Sequence, residues 1–567
     1  MTWWTEGMPW RSGRWSLELR GDELADIAID GRVVLRSIRA VVRDADWDTA
    51  DLVVDRVQPR DETLMLHVRS AGLGSSFTGV VRVEARQAQL RVILDLESAA
   101  EFATNRTGLV VLHPPTLAGT AVEVRHPDGT LTRSAFPREI SPHQPVRDVA
   151  ALTWQVDGAT VDVAFDGDVF EMEDQRNWTD ASFKTYSRPL DLPFPYRVSA
   201  GGRVRQSVAV SVAGKLAPAP PASDTITLRP GGSFPDILLG AATAPDPAPP
   251  VEPLENGVLV ELDLRVPSWR AALARAAGSA APLDVRFTGI EDAAETDAAA
   301  AALRGLDVRR VGAFASAGAA AHVSDADTVA ALRAALDRAG VTVPVVGGSR
   351  SHFTELNRER HRLPSDLDGV TTTVAPLFHA TGTEQLVESL EMQRLVARQA
   401  VAAAGGVPVH LGPVSLRPRF NNVATRPAPT SPATDLSEGY GAHLTGTPDE
   451  RQSAPELAAW TVASAAALAV PGVASLAYFE EWGPRGIRSS DGGDLPVAAA
   501  VRALCDGDGG ELLWGDSPDG LVWAIGRRCS ATTILAANLD RRPRSVTLEV
   551  VGDVRRVELE PGTFRAV

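Results

Sequence analysis

The sequence predicts a multidomain α/β plus β protein, with an N-terminal β-sandwich, a central (β/α)8 TIM barrel and a small C-terminal β-domain. Three observations support this fold class. Apolar and polar residues alternate with a period of two up to about residue 215. From about residue 236, apolar runs alternate with Ala-rich helical stretches. Short alternating strands return after residue 507, so the predicted domains are 1–231, 232–507 and 508–567.

The first domain opens with the alternating segment WSLELRGDELADIAIDGRVVL, whose turns fall at Gly21-Asp22 and Asp30-Gly31. Neighbouring strand residues face opposite sides, so this alternation is typical of half-buried antiparallel strands. Many short strands with Gly and Asp turns favour a β-sandwich. The other strands predicted here are Leu64–Val68, Thr78–Ala85, Leu90–Leu96, Thr120–Arg125, Thr160–Phe165 and Arg203–Val212. The Pro- and Gly-rich residues 215–235 indicate a domain junction.

The central domain contains eight strand-and-helix units in about 270 residues, which is the pattern of a (β/α)8 barrel. Its predicted strands are Ile237–Ala242, Val258–Leu264, Leu283–Phe287, Val308–Phe314, Val343–Gly347, Val370–Ala375, Val407–Leu411 and Ala474–Phe479. The predicted helices are Ser268–Ala276, Asp292–Gly305, Asp325–Ala339, Gln385–Ala404, Glu456–Val470 and Leu495–Cys505. A doubly wound open sheet is the alternative, but no G-x-G-x-x-G opens a helix, so a dinucleotide site is unsupported. The tail is predicted to form the strands Leu521–Gly526, Thr533–Asn538, Ser545–Val551 and Arg555–Glu560.

Composition and charge narrow the function classes. The net charge of −16 argues against nucleic acid or an anionic membrane as the main partner. Two cysteines, Cys505 and Cys529, cannot build a disulfide framework, so a reducing compartment fits best. The N-terminus has no signal-peptide pattern, and no run reaches the roughly 18 apolar residues that span a bilayer. We therefore expect a cytoplasmic protein.

One unusual stretch is EMEDQRNWTDASFKTY, residues Glu171–Tyr186, which mixes carboxylates, cations and aromatic residues. The aromatic residues are expected to be buried, and the charged residues then need nearby partners because a buried unpaired charge is costly. Two interpretations remain open. The stretch either locks a domain edge or helps to line a sugar-sized polar site. In both cases we expect it to lie against the barrel.

Catalytic groups of barrel enzymes lie at the C-terminal ends of the strands. Glu355 follows the strand Val343–Gly347, and Glu480 follows the strand Ala474–Phe479. Two carboxylates at separate strand ends suit general acid/base chemistry, in which one is protonated and the other ionised. We therefore predict that Glu355 and Glu480 are the catalytic pair in one cleft. The alternative is that each simply pairs with a nearby arginine.

Other polar and aromatic residues follow the same strand ends and are predicted to bind substrate. They are Arg350, His352, Asn357, His379, His410, Arg417, Arg419, Asn421 and Trp482. The sequence lacks H-E-x-x-H and H-x-H spacings, so we expect no metal site and no cofactor. His352, His379 and His410 could still converge in space, which leaves a three-histidine site as an alternative. No G-x-S-x-G motif supports a serine hydrolase mechanism.

Six segments resemble the D-apionate lactonase family of bacterial carbohydrate catabolism. They are TNRTGLVVLHP (Thr104–Pro114), FPREISPHQPVRD (Phe136–Asp148), Glu171–Tyr186, SRSHFTELNRER (Ser349–Arg360), HLGPVSLRPRFN (His410–Asn421) and YFEEWGPRG (Tyr478–Gly486). The resemblance implies an N-terminal β-domain, a TIM barrel and a small C-terminal domain. It also implies hydrolysis of a branched-sugar aldonolactone to the open acid. The catalytic residues above come from the strand-end argument and not from the resemblance.

Three functions compete. In a lactonase, water attacks the lactone carbonyl, a glutamate acts as base, and Arg or His stabilises the oxyanion. A glycoside hydrolase would use Glu355 and Glu480 as its carboxylate pair. A non-catalytic carbohydrate-binding protein would need no carboxylate pair. All three imply a small carbohydrate or sugar-lactone partner.

Overall fold

A closed eight-stranded barrel lies in sequence between an N-terminal domain of antiparallel sheets and a C-terminal sheet. The structure is a computed structural model of the 567-residue chain. It describes residues 3–217, 223–250, 252–253, 256–424, 428–507, 509–550 and 552–567. Within those ranges, no helix is long and apolar enough to cross a membrane.

The N-terminal domain consists of two nine-stranded sheets and one two-stranded sheet. One large sheet contains Met8–Ser12, Trp15–Arg20, Glu23–Ile29, Arg32–Arg43, Thr49–Ala50, Arg106–His113, Val146–Val149, Phe170–Asp174 and Phe183–Ser187. The other contains Leu52–Pro59, Thr63–Gly72, Ser75–Arg86, Gln89–Ser98, Ala121–Arg125, Leu131–Ala135, Ala151–Val156, Ala159–Asp166 and Arg203–Ala213. Phe102–Thr104 pairs with Tyr196–Val198. The only helical elements in residues 3–217 are the 3-10 turns Pro115–Leu117 and Gln175–Trp178, so the all-β prediction is confirmed.

Period-two patterning explains how the two large sheets share one core. In the strand Trp15–Arg20, the apolar residues Trp15, Leu17 and Leu19 are buried, and the polar residues between them are partly exposed. They join one hydrophobic cluster with Leu94 and Val163 of the other large sheet. Burying such side chains contributes about 1.5–3 kcal/mol each, which makes this cluster the main stabilising element of the domain.

The barrel confirms the eight predicted strands, with shifted ends. They are Asp236–Gly240, Val258–Asp263, Leu283–Thr288, Val308–Phe314, Val345–Gly348, Gly369–Val374, Val409–Val414 and Val473–Glu480. The α-helices are Trp269–Ala277, Ala293–Ala302, Ala326–Ala339, Phe353–Glu359, Thr383–Ala404, Ala442–Thr445, Glu456–Leu468 and Val497–Cys505. Short 3-10 turns occur at Ala319–Ala321, Arg360–Arg362 and Glu450–Ser453. The sequence analysis had no helix at Phe353–Glu359, where the Glu355 side chain accepts from the His352 backbone N–H and so caps the first turn.

The C-terminal sheet takes one of its strands from the segment before the barrel, and the domain boundary at residue 231 stays a prediction. Its strands are Thr225–Ser233, Glu511–Trp514, Val522–Arg528, Thr532–Asn538, Arg544–Val550, Asp553–Leu559 and Thr563–Ala566. Thr225–Ser233 pairs in parallel with Arg544–Val550, and Ile226 and Leu228 are buried against Val546 and Leu548. Strand patterning alone could not assign this strand, because its partner lies far along the sequence. The predicted strand end Val551 lies outside the described residues.

The segment Glu171–Tyr186, here called the interface segment, is buried and packs against the barrel, as predicted. Trp178 stacks on Phe378, which follows the sixth barrel strand, with ring centroids 4.6 Å apart. The ring of Trp178 also contacts the ring of His352, with centroids 5.0 Å apart. Arg176 donates to Asp174 and to backbone carbonyls of residues 137–139, so this buried guanidinium is neutralised and hydrogen-bonded. The segment therefore joins the first domain to the barrel.

Replacing Trp178 by alanine should lower the free energy of unfolding by about 3–5 kcal/mol, because a large buried side chain would leave a cavity. Urea unfolding followed by circular dichroism measures this change. Leu131→Ala is the control, since Leu131 is 59% exposed in the same domain. Equal unfolding midpoints for Trp178→Ala and Leu131→Ala would contradict the role given to the interface segment.

Candidate active site at the barrel mouth

Glu480 ends the eighth barrel strand, where the backbone departs from regular strand geometry. The preceding residue, Phe479, has a φ of +47°, which is strained for a bulky side chain. The pairing with the first strand shifts register at the same point, between Leu239 and Gly240. Such an irregularity re-aims the side chains that follow it. Glu480 lines a cavity at the barrel mouth.

Burial and the polar neighbours of Glu480 shift the pKa of its carboxyl group in opposite directions. Burial raises the pKa of the carboxyl group above its ordinary value. Thr243 opposes this by donating its backbone N–H at 2.9 Å and its hydroxyl at 2.8 Å, and the charges of Arg485 and Arg419 also favour ionisation. The net direction is upward, so Glu480 takes up a proton more readily than an exposed glutamate.

Glu261 is the second carboxylate in the cavity, and its surroundings shift its pKa in the opposite direction. Arg350 donates to one oxygen at 2.8 Å, and Arg419 lies 3.2 Å from the other. Burial raises the pKa of Glu261, but the two guanidinium groups outweigh it and lower the pKa to about 2. Glu261 is therefore ionised throughout the neutral range, whereas Glu480 is the carboxylate poised to exchange a proton.

An inner cavity of about 50 Å³ contains both carboxylates. Its other polar lining includes Thr243, Ser415, Arg419, Tyr440 and Arg485. Nη2 of Arg485 is buried and has no hydrogen-bond partner among the residues that the structure describes. A buried donor without a partner is costly, so this atom is a candidate to bind a ligand oxygen.

A wider outer groove of about 620 Å³ adjoins the inner cavity. The two share Glu261, Arg419 and Tyr440 as lining residues. Arg350 and Asn421 line the groove together with Asn422 and His322, and the predicted role of Arg350 and Asn421 in binding substrate stays a prediction. The mouth of the barrel therefore contains a small cavity and a larger polar groove that have lining residues in common.

Glu355 lies in the first turn of the helix Phe353–Glu359 and lines neither of these two spaces. One oxygen accepts from the His352 backbone N–H at 3.0 Å, and the other accepts from Asn422 Nδ2 at 2.6 Å. Burial raises its pKa. Its assignment as an acid/base partner of Glu480 stays a prediction, and its contacts point instead to holding Asn422.

Several other predicted substrate-binding residues have protein partners away from the inner cavity. Asn357 donates to the interface segment through Asn177, and His379 pairs with Asp180 at 2.8 Å. Arg417 pairs with Asp449 at 2.8 Å. His410 lies inside the barrel and contacts Ser475, whereas Trp482 packs against Ala242 and Ala244.

His352 packs against both Trp178 and Phe378 and lines a small pocket beside Arg350 and Arg419. Burial lowers the pKa of His352 to about 3, so it is neutral at physiological pH. His352 and His379 both contact Trp178, but His379 pairs with Asp180 and His410 with Ser475. Among the described residues, no group of three or more His, Cys, Asp or Glu side chains could hold a metal ion.

The sequence analysis missed Glu261, Thr243 and Tyr440. Glu261 had a readable signal, since it is a charged residue within the apolar strand run VLVEL, near the end that forms the mouth. Thr243 and Tyr440 lie in loops that follow the first and seventh strands. Loop residues carry no periodic signal, so their approach to Glu480 depends on the folded path of the chain.

Solved structures match the chain only loosely. One is a GH30 endoxylanase from Clostridium papyrosolvens, at 8% identity and a TM-score of 0.39, covering 60% of this chain and 98% of that chain. Another is a GH36 α-galactosidase from Geobacillus stearothermophilus, at 11% identity and a TM-score of 0.27, covering 99% of both chains. TM-scores this low support no argument about activity.

Sequence comparisons are more specific. A D-apionate lactonase from Brucella anthropi is 28% identical to the chain over 553 residues, which cover 89% of this chain and 88% of the relative. Residues 4–215 match the family model of the D-apionate lactonase N-terminal domain, and residues 249–509 match that of its TIM barrel domain. The chain therefore belongs to the D-apionate lactonase family.

Proposed function

We propose that this carbohydrate hydrolase opens a branched-sugar aldonolactone in the inner cavity, with Glu480 as the general base. The observation that carries the proposal is the pair of carboxylates with opposite pKa shifts in one cavity, since such pairs divide acid and base roles. The name of the 28% identical relative supports a lactone as the substrate.

In the proposed reaction, Glu480 accepts a proton from water while the water oxygen attacks the lactone carbonyl carbon. The carbonyl oxygen becomes an oxyanion, which the guanidinium groups of Arg485 and Arg419 can stabilise. The ring carbon–oxygen bond then breaks, and protonated Glu480 can return its proton to the departing alkoxide. The products are the open-chain hydroxyl group and a carboxylic acid, which ionises at neutral pH.

Glu261 is the less suitable base because Arg350 and Arg419 already bind its two oxygens. A carboxylate with a pKa of about 2 holds a proton too weakly to transfer it efficiently near neutral pH. We assign Glu261 the role of holding the two arginines at the mouth. This arrangement keeps guanidinium donors beside the position proposed for the oxyanion.

Glycoside hydrolysis is the second candidate, because two carboxylates in one cavity also suit glycosidic bond cleavage. In that case Glu480, with its raised pKa, would protonate the leaving oxygen. A substrate panel of aldonolactones and aryl glycosides, assayed with and without chelator, separates the two reactions. The lactonase proposal expects turnover of the lactones, and turnover of only the glycosides would contradict it.

Glu480→Gln keeps the side-chain shape but removes proton transfer, so turnover of the best lactone in the panel should fall by about 10²–10⁴-fold. Steady-state kinetics measure the loss, and circular dichroism checks the fold. Glu481→Gln is the matched control, because Glu481 is adjacent and does not line the inner cavity. The assignment of Glu480 would be wrong if both variants kept wild-type turnover.

Thr243→Val should move the acid limb of the kcat/KM profile to higher pH. The Thr243 hydroxyl donates to Glu480 and favours its ionised form, so removing the hydroxyl raises the pKa of Glu480 further. The base is active when ionised, and activity would then be lost at a higher pH as the solution is acidified. A limb that stays in place or moves to lower pH would be inconsistent with Glu480 as base.

A further inference from the structure

The outer groove is larger than the inner cavity, about 620 Å³ against about 50 Å³, and shares Glu261, Arg419 and Tyr440 with it as lining residues. A lactone ring bound beside Glu480 would therefore leave most of the groove open. The polar atoms of the groove indicate what else it accommodates.

Asn422 gives the first indication. Its Nδ2 donates to Glu355 at 2.6 Å, and because a carboxylate only accepts, the orientation of the amide is fixed. The opposite atom, Oδ1, is buried without a hydrogen-bond partner in the described part of the chain. Asn422 lines the groove. Glu355 is thus a positioning residue, because it fixes the amide of Asn422 so that the acceptor atom is the one left unpaired.

Three further groove residues carry polar atoms that lack partners among the described residues. They are Arg350, through Nε, His322, through Nδ1, and Tyr440, through its hydroxyl oxygen. Arg350 Nε is a donor, and a neutral histidine nitrogen can donate or accept. A buried polar atom without a partner destabilises the protein, so a ligand that pairs with these atoms would be favoured.

The mixture of donor and acceptor distinguishes between classes of ligand. A sugar hydroxyl both donates and accepts, so neighbouring hydroxyls can satisfy Arg350 Nε and Asn422 Oδ1 together. An ionised phosphate or carboxylate only accepts, and Asn422 Oδ1 would repel it. The pattern therefore favours a neutral polyhydroxylated group over an anion.

We propose that the outer groove is a second sugar subsite, which binds a glycosyl residue attached to the lactone. This inference rests on the proposed function, because the attached lactone is taken to occupy the inner cavity. The substrate class is then a glycosylated aldonolactone, and Asn422 is a specificity-determining residue.

The test compares the lactone of D-apionate with the same lactone carrying a glucosyl residue on a free hydroxyl. Wild-type enzyme should open the glucosylated lactone with a kcat/KM about 10-fold higher or more. In Asn422→Ala, the ratio of the two kcat/KM values should fall by about 3–10-fold, which corresponds to one lost hydrogen bond. Asn256→Ala, before the second strand at the opposite end of the barrel, is the matched control and should leave the ratio unchanged.

Calorimetric titration with cellobiitol, a disaccharide alcohol without a lactone, tests the subsite independently of hydrolysis. Binding by wild-type enzyme that weakens in Asn422→Ala would support the subsite even if no lactone is opened, in which case only the proposed function fails. Equal kcat/KM values for both lactones, with no cellobiitol binding, would overturn the subsite while leaving the lactonase proposal intact. If Asn422→Ala does not fold, the two wild-type measurements decide.

Discussion

The ion pairs of Glu261 with Arg350 and Arg419 organise the barrel mouth. Glu261 belongs to the second strand, Arg350 follows the fifth, and Arg419 follows the seventh, so one carboxylate joins three strand ends. Arg419 also donates to the Arg350 carbonyl at 3.0 Å. Buried charges are costly unless they are paired and hydrogen-bonded, and this geometry meets that condition. One carboxylate cannot neutralise two guanidiniums, so positive charge remains beside Glu480.

The N-terminal domain also contacts residues at the barrel mouth. Trp178 packs on His352, and His352 lines a pocket with Arg350 and Arg419. Asn421, in the loop that follows Arg419, donates to Asp46 and Asp48 of the first domain. Contacts between the domains therefore restrain the loops that carry both arginines. We infer that the N-terminal domain serves the site by fixing these loops, since ligand-binding groups must be held precisely to act.

Local patterning explains how far the sequence could predict this arrangement. Barrel strands are visible as apolar runs between helices, so the end of the eighth strand and Glu480 could be located in advance. Glu355 was placed near a strand end correctly, but the helix Phe353–Glu359 directs its carboxylate to Asn422 instead of the inner cavity. The direction in which the Glu355 side chain points depends on its role in capping this helix, and strand patterning does not predict that role. The strand Thr225–Ser233 shows the other limit, because pairing with a distant strand leaves no local pattern.

We infer that Glu261 and Glu480 form one electrostatic unit through the arginines between them. The most direct measurement is the pH profile of kcat/KM for lactone opening by Glu261→Gln. Without the Glu261 charge, Arg419 would act on Glu480 unopposed, and the pKa of Glu480 should fall. The acid limb should therefore move to lower pH than in wild-type enzyme. An acid limb that stays in place, or moves to higher pH, would contradict this inference.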